Sequence, residues 1–265
     1  MRRAVPWLAV VLVACASEPS RSRGGRVGVF LEDLTWQEAE ARLRSDTVVV
    51  IPLGAAAKEH GPHLKLSNDR LIADYLARRV AERSSVVIAP TVPYHYYPAF
   101  AEYPGSTSLR LETARDTIVD ICRSLARAGP RRFYVLNTGV STVRALRPAA
   151  EELAKEGIAL RFTDIVALLH PVESAVCHQE GGTHADESET SIMLVIAPGT
   201  VDMKKAVKDY QPDRPGGLTR DPAGKGIYSP TGTWGDPTLA TREKGEVLLR
   251  ALEDGIVAEI EELGR

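Results

Sequence analysis

Apolar residues recur along the chain with two different periods, and the alternation of these periods predicts the elements. The run TVVVIPL at 47–53 is apolar throughout and has the length of a strand, whereas NDRLIADYLARRVAER at 68–83 repeats its apolar residues every three or four positions. Thr35 and Glu38 form a capping box that predicts the start of a further helix. The whole pattern predicts helices over 35–43, 68–83, 112–129, 144–157, 188–198 and 239–264, and strands over 47–53, 85–90, 132–139 and 158–165.

The order of these elements indicates the fold class. Strands that are apolar throughout and alternate with amphipathic helices are typical of an α/β fold with a mostly parallel sheet covered on both faces. Ligands bind such sheets at the carboxyl ends of the strands. GAAAKEHGPH follows the strand at 47–53 and NTGVST ends the strand at 132–139, so we expect these two segments to meet.

The amino terminus has the features of a lipoprotein signal. A short basic stretch, MRR, precedes an apolar stretch that is too short to span a bilayer comfortably, and LVAC at 12–15 resembles the bacterial lipobox. The pattern predicts a signal peptide over 1–14, a lipidated Cys15 with a flexible tether over 15–27, and a single domain over 28–265. This protein would be anchored by lipid in the bacterial cell envelope, facing the periplasm or the exterior. The alternative is an ordinary signal peptide with a chance cysteine.

Composition and charge exclude some classes of partner. The chain is 44% hydrophobic and 26% charged, with a net charge of −2 and no block of Lys or Arg, so a nucleic-acid partner is not indicated. Cys122 and Cys177 would be free to pair in an oxidising compartment. Because Cys122 lies among apolar residues of a predicted helix, we expect a buried free thiol and no disulfide.

The first cluster that could carry chemistry is EHGPH, directly after the strand at 47–53. It supplies Glu59, His60 and His63, and Asp69 follows in the first turn of the next helix. Side chains in a first turn tilt toward the helix N-terminus, so Asp69 is expected to point toward His60. The alternative is that Asp69 only interacts favourably with the helix dipole.

The second cluster is EGGTHADESETS, directly before an apolar helix. It supplies His184, Asp186, Glu187 and Glu189. Asp186 and Glu189 also have the spacing of a capping box, which is the structural alternative. Two clusters of histidine and carboxylate with glycine kinks favour a metal site, because imidazole and carboxylate are ligands of Zn²⁺ and Mn²⁺.

Four segments of the chain resemble the signature motifs of the creatininase (creatinine amidohydrolase) family. IPLGAAAKEHGPHLKLSND at 51–69 resembles P-x-G-S-x-E-Q-H-G-P-H-L-P-x-x-T-D, and HADESETS at 184–191 resembles H-A-G-x-x-E-T-S. YPGSTSL at 103–109 and GTWGDPTLATREKGE at 232–246 resemble two further motifs in family order. The resemblance implies a three-layer α/β/α hydrolase, often hexameric, that cleaves C–N bonds of cyclic or linear amides with a two-metal centre.

Compared residue by residue, the chain departs from the family pattern at two metal ligands. Lys58 falls where the family has a metal-binding glutamate, and Gly139 falls where it has a ligand histidine. In the family both of these ligands serve the same metal. His60 and Asp69 match ligands directly, and Glu189 is the candidate third ligand of the other metal. The resemblance thus implies a site with one divalent ion, Zn or Mn, bound by these three residues.

The lysine suggests how such a site would work. We expect the Lys58 ammonium to pair with Asp69, to replace part of the second cation's charge and to face the substrate carbonyl. His184 and Glu189 match the late catalytic residues of the family, and His184 is expected to act as a ligand or a proton carrier. The predicted function is hydrolysis of a small amide. The alternative is a non-catalytic ligand-binding or assembly protein in which Lys58 only neutralises its neighbours.

Four further residues are expected to bind the substrate. His63 is a candidate for orienting or hydrogen bonding, and His95 and Tyr96 lie in the aromatic segment YHYYPAF, where packing is the alternative role. Trp234 lies in the segment 211–237, which is rich in glycine and proline. Loops of this length inside a domain are usually functional, so we expect Trp234 to border the pocket.

Overall fold

The computed structural model describes residues 28–212 and 216–265. The predicted signal peptide, the predicted lipidation site Cys15 and the tether lie outside these residues and stay predictions. The helices and strands along the described chain are β1 (Val29–Phe30), α1 (Trp36–Arg42), β2 (Val48–Leu53), α2 (Asn68–Arg83), β3 (Val87–Ile88), α3 (Leu111–Ala126), β4 (Arg132–Asn137), α4 (Val143–Ala154), β5 (Ala159–Phe162), α5 (Ile165–Val176), α6 (Glu187–Ile196), β6 (Leu218–Thr219), β7 (Ile227–Tyr228) and α7 (Arg242–Gly264).

Five strands form one sheet in the order β1-β3-β2-β4-β5, and every pair in it is parallel. The predicted parallel sheet is therefore confirmed. β2 lies in the centre and is buried along its whole length. Its carboxyl end lies beside that of β4, since Leu53 is in register with Asn137. The segments that follow these two strands thus start at the same edge of the sheet, as predicted.

The sheet is covered on both faces because successive residues of β2 point to opposite sides. Val48 and Val50 pack in a core with α2, α5, α6 and α7, whereas Val49 and Ile51 pack in a second core with α3 and α4. Each fully buried side chain of this size stabilises the fold by about 1.5–3 kcal/mol. The three-layer α/β/α architecture is confirmed.

Two predicted elements differ from the structure. The strand predicted over 85–90 is reduced to β3, because only Val87 and Ile88 pair with both neighbouring strands. The strand predicted over 158–165 ends at Phe162, and the sequence analysis assigned no helix at α5. α5 contains Pro171, which lacks a backbone donor and usually marks the end of a helix.

The described part of the segment rich in glycine and proline, residues 216–237, packs against Tyr103 and Phe100 and against the segment before α6. Within it β6 pairs with β7, and Trp234 bonds to the segment before α6: its N–H donates to the His184 carbonyl at 2.8 Å and its own carbonyl accepts from Thr183 N at 3.1 Å. This connection brings Trp234 to the site described below. None of the described helices is long and apolar enough to cross a membrane.

Candidate active site

The connection from β2 to α2 forms one side of the site. Gly54 permits a close approach, because a Cβ there would lie 2.3 Å from the Asp69 carbonyl oxygen. Asp69 in the first turn of α2 accordingly points back toward the strand end, and its Oδ1 lies 2.7 Å from His60 Nε2. The predicted approach of these two side chains is confirmed.

His60 is fixed at both ring nitrogens. Its Nδ1–H donates to the Lys58 carbonyl at 2.8 Å, and its Nε2 lies 2.7 Å from Asp69 Oδ1 and 3.4 Å from Glu189 Oε1. Burial opposes the charged form, but the two carboxylates outweigh it and raise the pKa of His60 to about 9. Two carboxylates thus converge on one imidazole nitrogen, a position that requires either a proton or another cation.

Lys58 forms the buried ion pair that the sequence predicted. Its Nζ lies 2.8 Å from Asp69 Oδ2, and both side chains are almost inaccessible to solvent. The same Nζ lies 4.7 Å from the centre of the Phe100 ring and 5.7 Å from that of Tyr97. Burial opposes ionisation of Asp69, but Lys58 and His60 prevail and lower its pKa.

The start of α6 forms the opposite side of the site. Asp186 is the N-cap and accepts from Glu189 N at 3.0 Å, as the capping interpretation predicted. The Glu189 side chain does not complete the box, because its Oε2 accepts from Ala185 N at 2.7 Å and its Oε1 accepts from Asn68 Nδ2 at 2.9 Å. Ala185 is the only described non-glycine residue with a positive φ, 48°. The turn therefore directs Glu189 inward toward α2.

His184, just before this turn, is oriented by a second carboxylate. Its Nε2 lies 3.2 Å from Glu59 Oε2, and Glu59 also accepts a hydrogen bond from Gly61 N. The His184 ring lies with its centre 5.0 Å from that of His60. Its Nδ1 lies 4.0 Å from Glu189 Oε2. Glu59 thus holds one ring nitrogen of His184 and leaves the other facing the site.

Three residues bring ligand atoms together: His60, His184 and Glu189 each offer one atom, and these atoms lie within 4.8 Å of one another. Two imidazoles and a carboxylate are a donor set that suits Zn²⁺ or Mn²⁺. His184, expected as a ligand or a proton carrier, belongs to this group, and the predicted ligand Asp69 lies next to it with Oδ1 2.7 Å from His60 Nε2. Both oxygens of Asp69 face other cationic partners, Lys58 and His60.

Lys58, His184 and Glu189 line a cavity of about 720 Å³. Tyr96 and Trp234 line it as well, in agreement with the sequence prediction.

For the two remaining candidate substrate residues the structure agrees with the hydrogen-bonding role expected of His63 and with the packing alternative for His95. His63 and His95 are buried and do not line the cavity. The Nε2 of His63 bonds to Thr190 Oγ1 at 2.8 Å, so its role in the structure is to hold α6. Burial lowers the pKa of both histidines to about 4.

The Gly139 position is closed to a larger side chain. A Cβ there would lie 2.9 Å from Thr142 Cγ2 and 3.4 Å from Tyr97 Cε1. Tyr97 is buried and extends to within reach of Lys58, as the ring distance shows. Thr142 and Tyr97 therefore occupy the space that a side chain at position 139 would enter.

Two residues of the site carried no functional expectation in the sequence. Asn68, which donates to Glu189, stands next to Asp69, and Phe100 packs its ring 4.3 Å from that of His184. Glu59 was part of the first cluster, but its partner His184 was not indicated. Adjacency to Asp69 was the only sequence signal for Asn68, and the spacing carried none for Phe100.

Comparisons with known proteins identify one family and several relatives with different activities. A family model described as "Creatininase: Creatinine amidohydrolase" matches residues 32–260. A creatinine amidohydrolase of Pseudomonas putida is 32% identical over 88% of this chain and 96% of its own length. A mycofactocin precursor peptide peptidase of Mycobacterium ulcerans (strain Agy99) is 30% identical over 80% and 84%, respectively. A solved structure described as "Creatininase Mn" superposes with a TM-score of 0.77, at 30% identity, over 89% of this chain and 98% of that one.

Proposed function

Because the chain belongs to the creatininase family, we propose that it is a metal-dependent hydrolase that cleaves a C–N bond of a small cyclic or linear amide. The observation that carries the proposal is the convergence of ligand atoms from His60, His184 and Glu189 within 4.8 Å beside a cavity. Three protein ligands are typical of catalytic metal sites, which leave a position for water or substrate.

His60, His184 and Glu189 would hold a single Zn²⁺ or Mn²⁺ ion. Such an ion, when bound, lowers the pKa of a water and polarises a carbonyl. The Lys58 carbonyl accepts from Nδ1 of His60 and so directs Nε2 toward Asp69 and Glu189, where the ion would bind. Glu59 holds Nε2 of His184 in the same way, so that Nδ1 faces the site. Because Glu59 orients His184 as the Lys58 carbonyl orients His60, we assign His184 to the ion rather than to proton transfer. His184→Gln should then lose metal; a variant that keeps its metal and loses only turnover would make His184 a proton carrier.

Lys58 supplies a fixed positive charge where a second cation would otherwise act. Its ammonium is held by Asp69 at 2.8 Å and lines the cavity, so it can donate to a carbonyl oxygen that gains charge during attack. The closed space at Gly139 supports a site with one ion, because a ligand side chain there would meet Thr142.

A non-catalytic binding protein on the same fold is the second candidate. The observation in its favour is the ion pair between Lys58 and Asp69, which uses a carboxylate that the family motif assigns to a metal. The retained pairing of Glu59 with His184 opposes it, because an oriented imidazole has no evident use in a site without an ion.

The substrate class follows the relatives only in part. One of them is named for creatinine and another for a precursor peptide, so both a small amide and a peptide bond lie within the range of this family. Creatinine itself is a poor candidate for this chain, because Lys58 and Gly139 alter the centre. Assembly into an oligomer, which the resemblance implies, stays a prediction.

The metal content of the purified protein tests the proposal. Elemental mass spectrometry should find about one zinc or manganese per chain, and His60→Ala should lose it. No metal after growth and dialysis with both ions would refute the hydrolytic mechanism and favour the binding protein. Two ions per chain would refute the role of Lys58 as a replacement for the second cation.

A further inference from the structure

Two charged residues of the cavity wall, Arg144 on α4 and Glu173 on α5, form no salt bridge within 4 Å with any residue of 28–212 and 216–265. They are also not paired with each other. The other charged side chains of the wall are engaged: Lys58 with Asp69, His184 with Glu59, Glu189 with His60 and Asp186 with Gln179. Arg144 and Glu173 are therefore the charges that remain for a ligand.

The position of Arg144 in its helix adds to the positive charge around its guanidinium. It is the second residue of α4, whose first turn contains no acidic residue. The N-terminal end of a helix carries partial positive charge, so a guanidinium there is disfavoured until an anion joins it. Arg147, one turn later on the same helix, is exposed like Arg144 but does not line the cavity.

The rest of the wall is suited to an apolar ligand body. Its aliphatic and aromatic members include Phe100, Ile165, Leu169, Ile192, Leu218 and Trp234. A cavity of about 720 Å³ lies in the range that encloses ligands of drug size. A ligand that fills it therefore extends well beyond the amide group itself.

We propose that the cavity binds an amide with an apolar body and a carboxylate at the end that is not cleaved, and that Arg144 holds this carboxylate. The planar guanidinium matches a carboxylate in a two-point hydrogen bond. Glu173 would repel the same carboxylate from the α5 side and so fix the direction in which the ligand enters. This inference deepens the proposed amide hydrolysis and rests on it for the amide.

A matched pair of probes tests the inference without turnover. N-acetylphenylalanine and N-acetylphenylalaninamide share an apolar ring and differ in the terminal carboxylate. Each is titrated by calorimetry into the protein as purified, into Arg144→Gln and into the control Arg147→Gln. The wild type and the control should bind the carboxylate about ten-fold more tightly, which corresponds to about 1.4 kcal/mol. Arg144→Gln should bind both probes with similar affinity.

Three results would overturn the inference: equal affinity of the wild type for both probes, a preference that survives in Arg144→Gln, or no binding of either probe at millimolar concentration. Chromatography of each mixture after titration separates this inference from the proposed function. A carboxylate preference without any cleavage, in a protein that also lacks metal, would keep the anion site and refute the hydrolase. Cleavage of both probes without a carboxylate preference would support the hydrolase and refute the anion site.

Discussion

Replacement of Lys58 by methionine should destabilise the protein strongly, because it leaves Asp69 buried without its lysine. Both side chains of the pair are almost fully buried, and the Nζ–Oδ2 distance is 2.8 Å. Removing one partner of a buried ion pair costs about 3–5 kcal/mol. His60 still faces Asp69 at 2.7 Å, so we expect Lys58→Met to lower the free energy of unfolding by about 3 kcal/mol, the lower end of this range.

Urea unfolding at pH 7.5 in the presence of EDTA measures this loss. Lys65→Met is the matched control, since Lys65 is exposed and surface changes of this kind stay within about 0.5 kcal/mol. Asp69→Asn in the Lys58→Met background removes the second charge and should restore part of the lost stability. A loss in Lys58→Met no larger than in Lys65→Met, or a double variant less stable than Lys58→Met, would refute the reasoning.

The same variant separates charge from metal binding. Lys58 is not among the grouped ligand residues, so the metal content of Lys58→Met should stay close to that of the wild type, while turnover of any amide substrate is lost. Loss of the metal together with the lysine would contradict the role assigned to its ammonium.

Three further predictions concern the body of the fold. Burial lowers the pKa of His95 from the ordinary 6.5 to about 4. As pH falls from 6.5 toward 4, the imidazole is protonated in the unfolded state but not in the folded state, so the free energy of unfolding should decrease. By pH 4.5 the wild type should have lost about 2–3 kcal/mol relative to His95→Asn, by urea unfolding; parallel pH profiles would contradict this. Gly245→Ala should cost about 1–3 kcal/mol because its Cβ would lie 2.0 Å from a carbonyl oxygen of α6, whereas Gly264→Ala, 3.7 Å from its nearest atom, should cost far less in thermal unfolding. Cys122 and Cys177 should both titrate as free thiols after unfolding without reductant. If neither reacts, the two cysteines form a disulfide.

Local patterns predicted the parts of the fold that depend on neighbouring residues. The capping box of Thr35 and Glu38 is present, and α2 spans the residues that the periodicity indicated. The inward direction of Asp69 followed from helix geometry alone. Each of these features is fixed by contacts within a few residues, so one segment of sequence contains the whole cause.

Features that depend on distant contacts could not be predicted in the same way. Glu59 meets His184 across 125 residues, and neither position carries a sequence pattern that points to the other. The burial of His95 depends on packing between elements, which the aromatic segment around it does not indicate. The family resemblance supplied the site residues, but it did not indicate how close the ring atoms of His184 lie to those of His60 and Glu189.

The positive φ of Ala185 has a consequence for how this protein would change under selection. Glycine at this position would relieve about 1 kcal/mol of backbone strain, so a library screened for heat resistance should enrich it. The same change would loosen the turn that directs Glu189 inward through the Ala185 amide. A lineage selected for turnover should therefore keep a side chain here, whereas one that has lost activity is free to drift to glycine. Glycine at residue 185 would then mark inactive descendants of this chain before they lose the residues that could bind the metal.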